Sequence, residues 1–285
     1  MDKIKTSLVL EGGGMRGAYT AGALTWLIDQ GISFDSSYGI STGALYLTNF
    51  LMKNKENLKD FSVYGITDKR IVGPKAILHC GRLVDYDFLF DQILTVEKHF
   101  DISPLKDCKD SGYIGVYDLG VGKTYYLSTR DISMKQLEAS TSLPILGVIV
   151  NVEGKQLMDG GITDMIPIRQ AEKDGCNRHL IITTKPYDYV RKPANPFVVW
   201  LMKTMYPQCD NISKDYSIRH LNYVDQISFI RDLEEKNEAV YVYPSHTSNV
   251  TRLGGTTEEL NDLFNLGYSD MEARKEKIFA LLGMK

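Results

Sequence analysis

The spacing Gly39-Ile40-Ser41-Thr42-Gly43 is G-x-S-x-G. That pattern puts a serine on a sharp strand-to-helix turn, where the flanking glycines keep side chains away from a reacting hydroxyl. The helix that starts behind Ser41 favours negative charge arriving at the same place. The chemistry is attack on an acyl carbonyl. The plainer alternative is a serine that caps a helix in a glycine-rich turn.

A second glycine run lies upstream. Gly12-Gly13-Gly14-Met15-Arg16-Gly17 fits the dinucleotide fingerprint G-x-G-x-x-G, with Asp35 about twenty residues on, where a ribose-binding acid is sought. That acid belongs at the end of the second strand, whereas Asp35 precedes the strand feeding Ser41, which weakens the dinucleotide reading. The P-loop pattern is missing. Backbone N–H groups of Gly12, Gly13 and Gly14 at a strand's carboxyl end can instead face an oxyanion, each worth about 3 kcal/mol of barrier. Arg16 at the same rim fits an anchor for loop or substrate charge.

The third element is Asp159-Gly160-Gly161. Asp-Gly is a common turn dipeptide. An aspartate at a sheet edge is also what a serine needs when no histidine serves as base. His79, His99, His179 and His220 fall in segments without a catalytic pattern. His246 follows a strand through Pro244-Ser245, as the histidine of an α/β-hydrolase does. A Ser41–Asp–His246 triad is therefore the alternative mechanism.

These residues need elements to hold them. Thr6 to Leu10 reads as a buried strand, Ala18 to Gln30 as a helix stopped by Gly31, Phe34 to Ile40 as a strand, and Ala44 to Met52 as a core helix. Strand, loop, helix, strand, turn, helix is the start of an open, mostly parallel, doubly wound α/β sheet with helices on both faces. Residues 53–109 lack periodicity and read as an insertion covering the sheet. Tyr113 to Leu119 and Lys123 to Ser128 flank a hairpin turn, and Ile145 to Val150 and Gln156 to Met158 flank another. Further on come helices from Ser133 to Ser140 and Ile166 to Gly175, the parallel strand His179 to Thr183, and a helix from Ser217 to Lys236. The strand Ala239 to Tyr243 and a last helix from Thr256 to about Leu282 follow. Three strands would bring their carboxyl ends to one place, carrying the glycines, Ser41 and Asp159.

Composition narrows the classes. Of 285 residues, 33 are Lys or Arg and 36 Asp or Glu, a net charge of −3, which argues against nucleic acid as a partner. Four scattered cysteines without a CxxC pair read as free thiols. The run Leu8-Val9-Leu10 is too short for a signal peptide, and no apolar stretch approaches spanning length, so a cytoplasmic protein is expected. Between Tyr187 and Tyr206, Arg191, Lys192 and Lys203 surround Phe197 to Met202. This stretch is either a helix half-buried on the sheet or one that touches a lipid surface transiently.

The order of glycine run, serine elbow and Asp-Gly-Gly resembles the patatin-like phospholipases, particularly bacterial members. Ala139-Ser140-Thr141-Ser142-Leu143-Pro144 resembles the segment before that family's catalytic aspartate, and Pro167 and Pro244 fit as well. The likeness spans most of the chain and implies one patatin-like domain over residues 1–285, its core at about 5–185 followed by a helical and strand extension. It implies Ser41 as nucleophile, Asp159 as base and Gly12, Gly13 and Gly14 as the oxyanion hole. Arg16, Gly17, Gly39, Gly43, Gly160 and Gly161 would support them. It also implies phospholipid, lysophospholipid or neutral-lipid esters as substrates, with no metal or organic cofactor. Ile145-Leu146 stands where many members have an aromatic, which bears on the shape of the acyl pocket.

Overall fold

The computed structural model describes residues 4–284. Eight strands form one sheet: β1 (Thr6–Leu10), β2 (Ser36–Ile40), β3 (Ser111–Asp118), β4 (Lys123–Ser128), β5 (Val150–Val152), β6 (Lys155–Asp159), β7 (Arg178–Ile182) and β8 (Ala239–Val242). Their order is β5-β6-β3-β2-β1-β7-β8, with β4 on the other edge of β3. The run β3-β2-β1-β7-β8 is parallel, whereas β4, β5 and β6 pair antiparallel. It is a mixed sheet, parallel at its centre.

Side-chain alternation buries both faces, as a central parallel sheet requires. Leu8, Leu10, Leu180, Ile182, Val240 and Val242 point into one core, packed by α1 (Ala18–Asp29), α2 (Thr42–Leu51) and the helix Thr257–Ala273. Val9, Ile181 and Tyr241 point into the other, under the helices Ile168–Lys173 and Arg219–Glu235. Residues 53–109 are not a separate cover. They fold as short helical segments whose Leu58, Phe61, Val63, Phe90 and Ile93 belong to the same core as α1 and α2.

Other boundaries move for local reasons. No strand starts at Ile145: Gly147 N–H closes a turn onto Leu143 O (2.8 Å) and Ile145 takes φ 69°, so extended structure begins only at Val150. The last helix breaks at Arg274 into Thr257–Ala273 and Lys275–Leu282. All four cysteines are free thiols.

Two glycines bring α1 and Thr257–Ala273 together backbone to backbone. A Cβ on Gly22 would stand 1.9 Å from Phe264 O, and one on Gly267 would stand 2.0 Å from Tyr19 O. The two helices would have to separate to admit either methyl. Gly22→Ala should therefore destabilise by about 1–3 kcal/mol, lowering Tm by several degrees, although alanine raises helix propensity. An unchanged Tm in thermal denaturation would contradict this close crossing.

Candidate active site

Strand β3 determines where Ser41 and Asp159 meet. One of its edges is taken by β4 over Tyr113–Asp118. Along the other, β2 pairs from Ser111 to Gly115, and β6 takes the next positions, Val116 to Asp118, running the opposite way. The carboxyl ends of β2 and β6 therefore face each other, Ile40 opposite Gly115 and Asp159 opposite Val116. The sequence reading brings three carboxyl ends together. In the structure the third, that of β6, arrives from the opposite direction.

Ser41 has φ 58° and ψ −130°, a strained conformation for a non-glycine residue. It occupies the cap position of α2, but its side chain makes no capping hydrogen bond. The hydroxyl is therefore not engaged in capping the helix. The elbow glycines are steric. A Cβ on Gly39 would lie 2.6 Å from Gly43 O, and one on Gly43 would lie 2.8 Å from Glu11 O. Neighbouring Gly12 would press a Cβ onto Ser41 Cβ at 2.6 Å, and Gly17 would press one onto the Tyr46 ring.

The glycine loop is tethered at several points. Gly13 N–H donates to Thr42 Oγ1 (3.1 Å), so this amide is engaged. Gly14 has φ 59°, and a Cβ there would stand 2.3 Å from Arg252 O, which accepts from Met15 N–H (3.0 Å). Arg16 does not reach the cleft lining: its Nε is buried without a partner among the described residues, and burial lowers its pKa.

Asp159 is 1% exposed. One carboxylate oxygen accepts Gly161 N–H (2.7 Å), the turn geometry expected of Asp-Gly. The other, Oδ2, is buried and has no hydrogen-bond partner among the described residues. Burial raises the Asp159 pKa, while the nearby Ser41 hydroxyl, Gly161 N–H and the charges of Arg219 and Arg252 pull it back. The Ser41 hydroxyl is thus one of the groups that favour the ionised form of Asp159. A Cβ on Gly160 would lie 2.8 Å from the Gly115 carbonyl, which is what the close seating of β6 on β3 demands.

Ser41 and Asp159 line one narrow cleft with Gly12, Gly13, Gly14 and Gly161. Glu11 also lines it. It pairs with Lys185 and accepts from Thr184 N (2.7 Å) and Oγ1 (3.0 Å). Burial lowers Lys185 to about 8. Beside the cleft, Leu143, Pro144, Ile145, Leu146, Ile162 and Val198 form most of a mainly apolar pocket of about 180 Å³, whose wall also includes Asp159, Arg219 and Arg252. The departure at Ile145-Leu146 therefore shapes this pocket. His246 is exposed and is not among the cleft residues. Arg191, Arg219 and Arg252 are among them. The sequence carried no local signal for the last two, because they come from distant segments with no motif of their own.

A family model described as Patatin-like phospholipase matches residues 8–172. The chain belongs to the patatin-like phospholipase family. Its elbow, glycine run and Asp-Gly-Gly all lie within that match. A second model, described as Domain of unknown function (DUF6363), matches residues 209–283, a stretch that supplies β8. Among relatives of this patatin-like chain, the uncharacterized protein YjjU of Escherichia coli is 26% identical over 92% of the chain and 75% of that protein. A Lysophospholipase NTE1 of Lodderomyces elongisporus is 23% identical over 92% of the chain, and one of Scheffersomyces stipitis is 23% identical over 97%. The chain spans 19% of the length of each of these two. The crystal structure of VipD from Legionella pneumophila shares the fold, with a TM-score of 0.51 and 13% identity over 95% of the chain and 66% of that protein.

The raised pKa of Asp159 has a consequence for stability. A carboxyl whose folded pKa exceeds its unfolded one stabilises the fold while protonated, and that contribution is lost as pH rises through the folded value. Above the ordinary carboxylate range the burial of Asp159 therefore opposes folding. Asp159→Asn should raise Tm at pH 7 to 8, with the gain shrinking as pH falls toward about 4, the ordinary carboxylate value. Melting curves across pH check this, and a Tm loss at neutral pH would contradict it.

Proposed function

We propose that this patatin-like chain is a serine hydrolase of lipid acyl esters, with Ser41 as nucleophile and Asp159 as its base. The observation that carries the reading is a serine hydroxyl on a strained turn, not used to cap its helix, beside a buried carboxylate oxygen that has no other partner among the described residues. Relatives named lysophospholipase support a lipid ester as substrate.

In this reading Ser41 Oγ bonds to the acyl carbon and its proton passes to Asp159. The tetrahedral oxyanion faces the glycine loop. Gly12 and Gly14 amides point to this role, and Gly13 joins if its N–H leaves Thr42 Oγ1. The C–O bond to the alcohol then breaks, and Asp159 returns the proton to the departing oxygen. Water repeats the sequence on the acyl-enzyme, releasing the fatty acid and restoring Ser41. The raised pKa of Asp159 helps both transfers, since it brings the carboxylate closer in basicity to an alcohol. The apolar pocket beside the cleft suits the acyl chain.

The aromatic segment supports contact with a lipid surface. In the helix Pro196–Met205, Phe197 and Trp200 are 63% and 58% exposed and stack at 5.6 Å. Val198, between them in sequence, lines the apolar pocket. No helix among the described residues is long and apolar enough to cross a membrane, so contact would be peripheral. A cytoplasmic location is proposed with it.

A fluorophosphonate should label the wild type, and Ser41→Ala should abolish both labelling and esterase activity. Asp159→Asn should lose at least about 100-fold in turnover, while His246→Ala stays near wild type. A dead His246→Ala beside an active Asp159→Asn would make this a triad enzyme. The acid limb of kcat against pH should lie above the roughly 4 of a free aspartate.

Trp200→Glu should weaken hydrolysis of vesicle lipids while sparing a soluble p-nitrophenyl ester. Equal loss on both substrates, with a lower Tm, would identify the helix as a packing element instead.

A further inference from the structure

The stretch matched by the domain of unknown function gives two side chains to the cleft. Arg219 opens the helix Arg219–Glu235 and is 8% exposed. Its Nε–H donates to Gly161 O (2.8 Å), and its guanidinium lies over the Tyr216 ring at 4.8 Å. Arg252 stands in the loop after β8, anchored through its carbonyl to Met15 N–H. Arg191 joins them from the segment after β7, its guanidinium over the Tyr223 ring at 5.5 Å.

None of these three arginines forms an ion pair among the described residues. The remaining cation of the cleft, Lys185, is matched by Glu11. Three guanidinium groups therefore face one carboxylate, Asp159, in a chain whose net charge is −3. Concentrating positive charge in a partly desolvated cleft costs free energy. The cost is visible at Arg219, which burial and then Arg191 push down to about 10.

The cleft borders two spaces that share Tyr216 and Arg219: the apolar pocket, whose wall also includes Arg252, and a cavity of about 290 Å³ between Tyr189, Arg191, Lys192, Tyr216, Arg219 and His220. Arg191 and Arg219 line both the cleft and this cavity. An ester with its chain against Leu143, Pro144, Ile145 and Val198 would leave its alcohol half to the cleft, where Arg191, Arg219 and Arg252 stand, and to the cavity beyond Arg191 and Arg219. No Asp or Glu lines the cavity to receive an ammonium group. Its aromatic rings are already covered by protein cations, Tyr216 by Arg219 and Tyr189 by Lys185.

We propose that Arg191, Arg219 and Arg252 bind a phosphate on the alcohol half of the substrate, and that the preferred esters carry a net-negative headgroup rather than a zwitterionic or neutral one. Guanidinium forks match phosphate oxygens bidentately, and an ammonium in the cavity would meet Arg191, Lys192 and Arg219 with no carboxylate on its lining. The inference rests on the hydrolase reading of the site. It also gives the 209–283 stretch a role as the element that sets headgroup selectivity.

The test uses three substrates with one acyl chain below their micelle concentrations: lysophosphatidic acid, lysophosphatidylcholine and monoacylglycerol. Wild-type kcat/KM should be at least tenfold higher for the first than for either of the others. In Arg191→Gln/Arg252→Gln the ratio of anionic to neutral substrate should fall at least tenfold, and Arg252→Lys should retain more of it than Arg252→Gln. Inorganic phosphate should compete with lysophosphatidic acid. Competition by phosphate together with equal kcat/KM on all three lipids would mean a free-anion site and overturn the proposal. Calorimetry on Ser41→Ala separates this inference from the hydrolase reading. Tenfold tighter binding of lysophosphatidic acid supports it even if wild type cleaves none of the lipids, whereas equal affinities overturn it.

Discussion

Strand β3 offers a single edge to two partners that approach from opposite directions. Backbone hydrogen bonding fills that edge with β2 up to Gly115 and with β6 from Val116 onward. Because each edge position can pair only once, the two strand ends are held one residue apart in register along β3. Ser41 and Asp159 are the residues at those ends. Their meeting is therefore a property of the sheet ladder rather than of either side chain. The Gly160 position follows from the same constraint, since it lets β6 seat against Gly115 of β3, while Gly39 and Gly43 let backbones lie close at the serine turn itself.

Around that junction the electrostatics are uneven. Burial drives Asp159 toward its neutral form, and Arg219 and Arg252 draw it back toward the ionised one. The balance leaves the Asp159 carboxylate more basic than one in water, a property that suits a direct proton acceptor. The arginines that do this come from residues 209–283, and the elbow and the Asp-Gly-Gly from residues 8–172. The sheet itself runs through both stretches, with β8 pairing to β7. The cleft is assembled across the two.

Much of this was legible in sequence where the cause is local. The glycines around Ser41 are read from spacing because they relieve contacts within a few residues of the chain or across adjacent strands. Strands β1, β2, β7 and β8 and helices α1 and α2 follow from short apolar runs with clear stops. Residues 53–109 were illegible because their apolar side chains are spaced by short, irregular helical turns, and no single period survives. Ile145 to Val150 misleads for the opposite reason: its composition suits a strand, but a turn closed by Gly147 N–H and the left-handed backbone of Ile145 curl it toward the apolar pocket.

The sequence by itself determined the family, the parallel centre of the sheet and the serine turn, since each is written in neighbouring residues. Asp159-Gly160 on its own read as a turn, and the base role came from its place after the glycine run and the serine elbow. Only the tertiary structure decided that one oxygen makes the turn while the other is left buried and unpartnered, because that depends on which strand β6 pairs with and in which direction. The charge of the cleft was likewise decided in three dimensions. Arg191, Arg219 and Arg252 are separated by 28 and 33 positions, and an arginine without a motif takes its meaning only from the carboxylates that fold beside it or fail to.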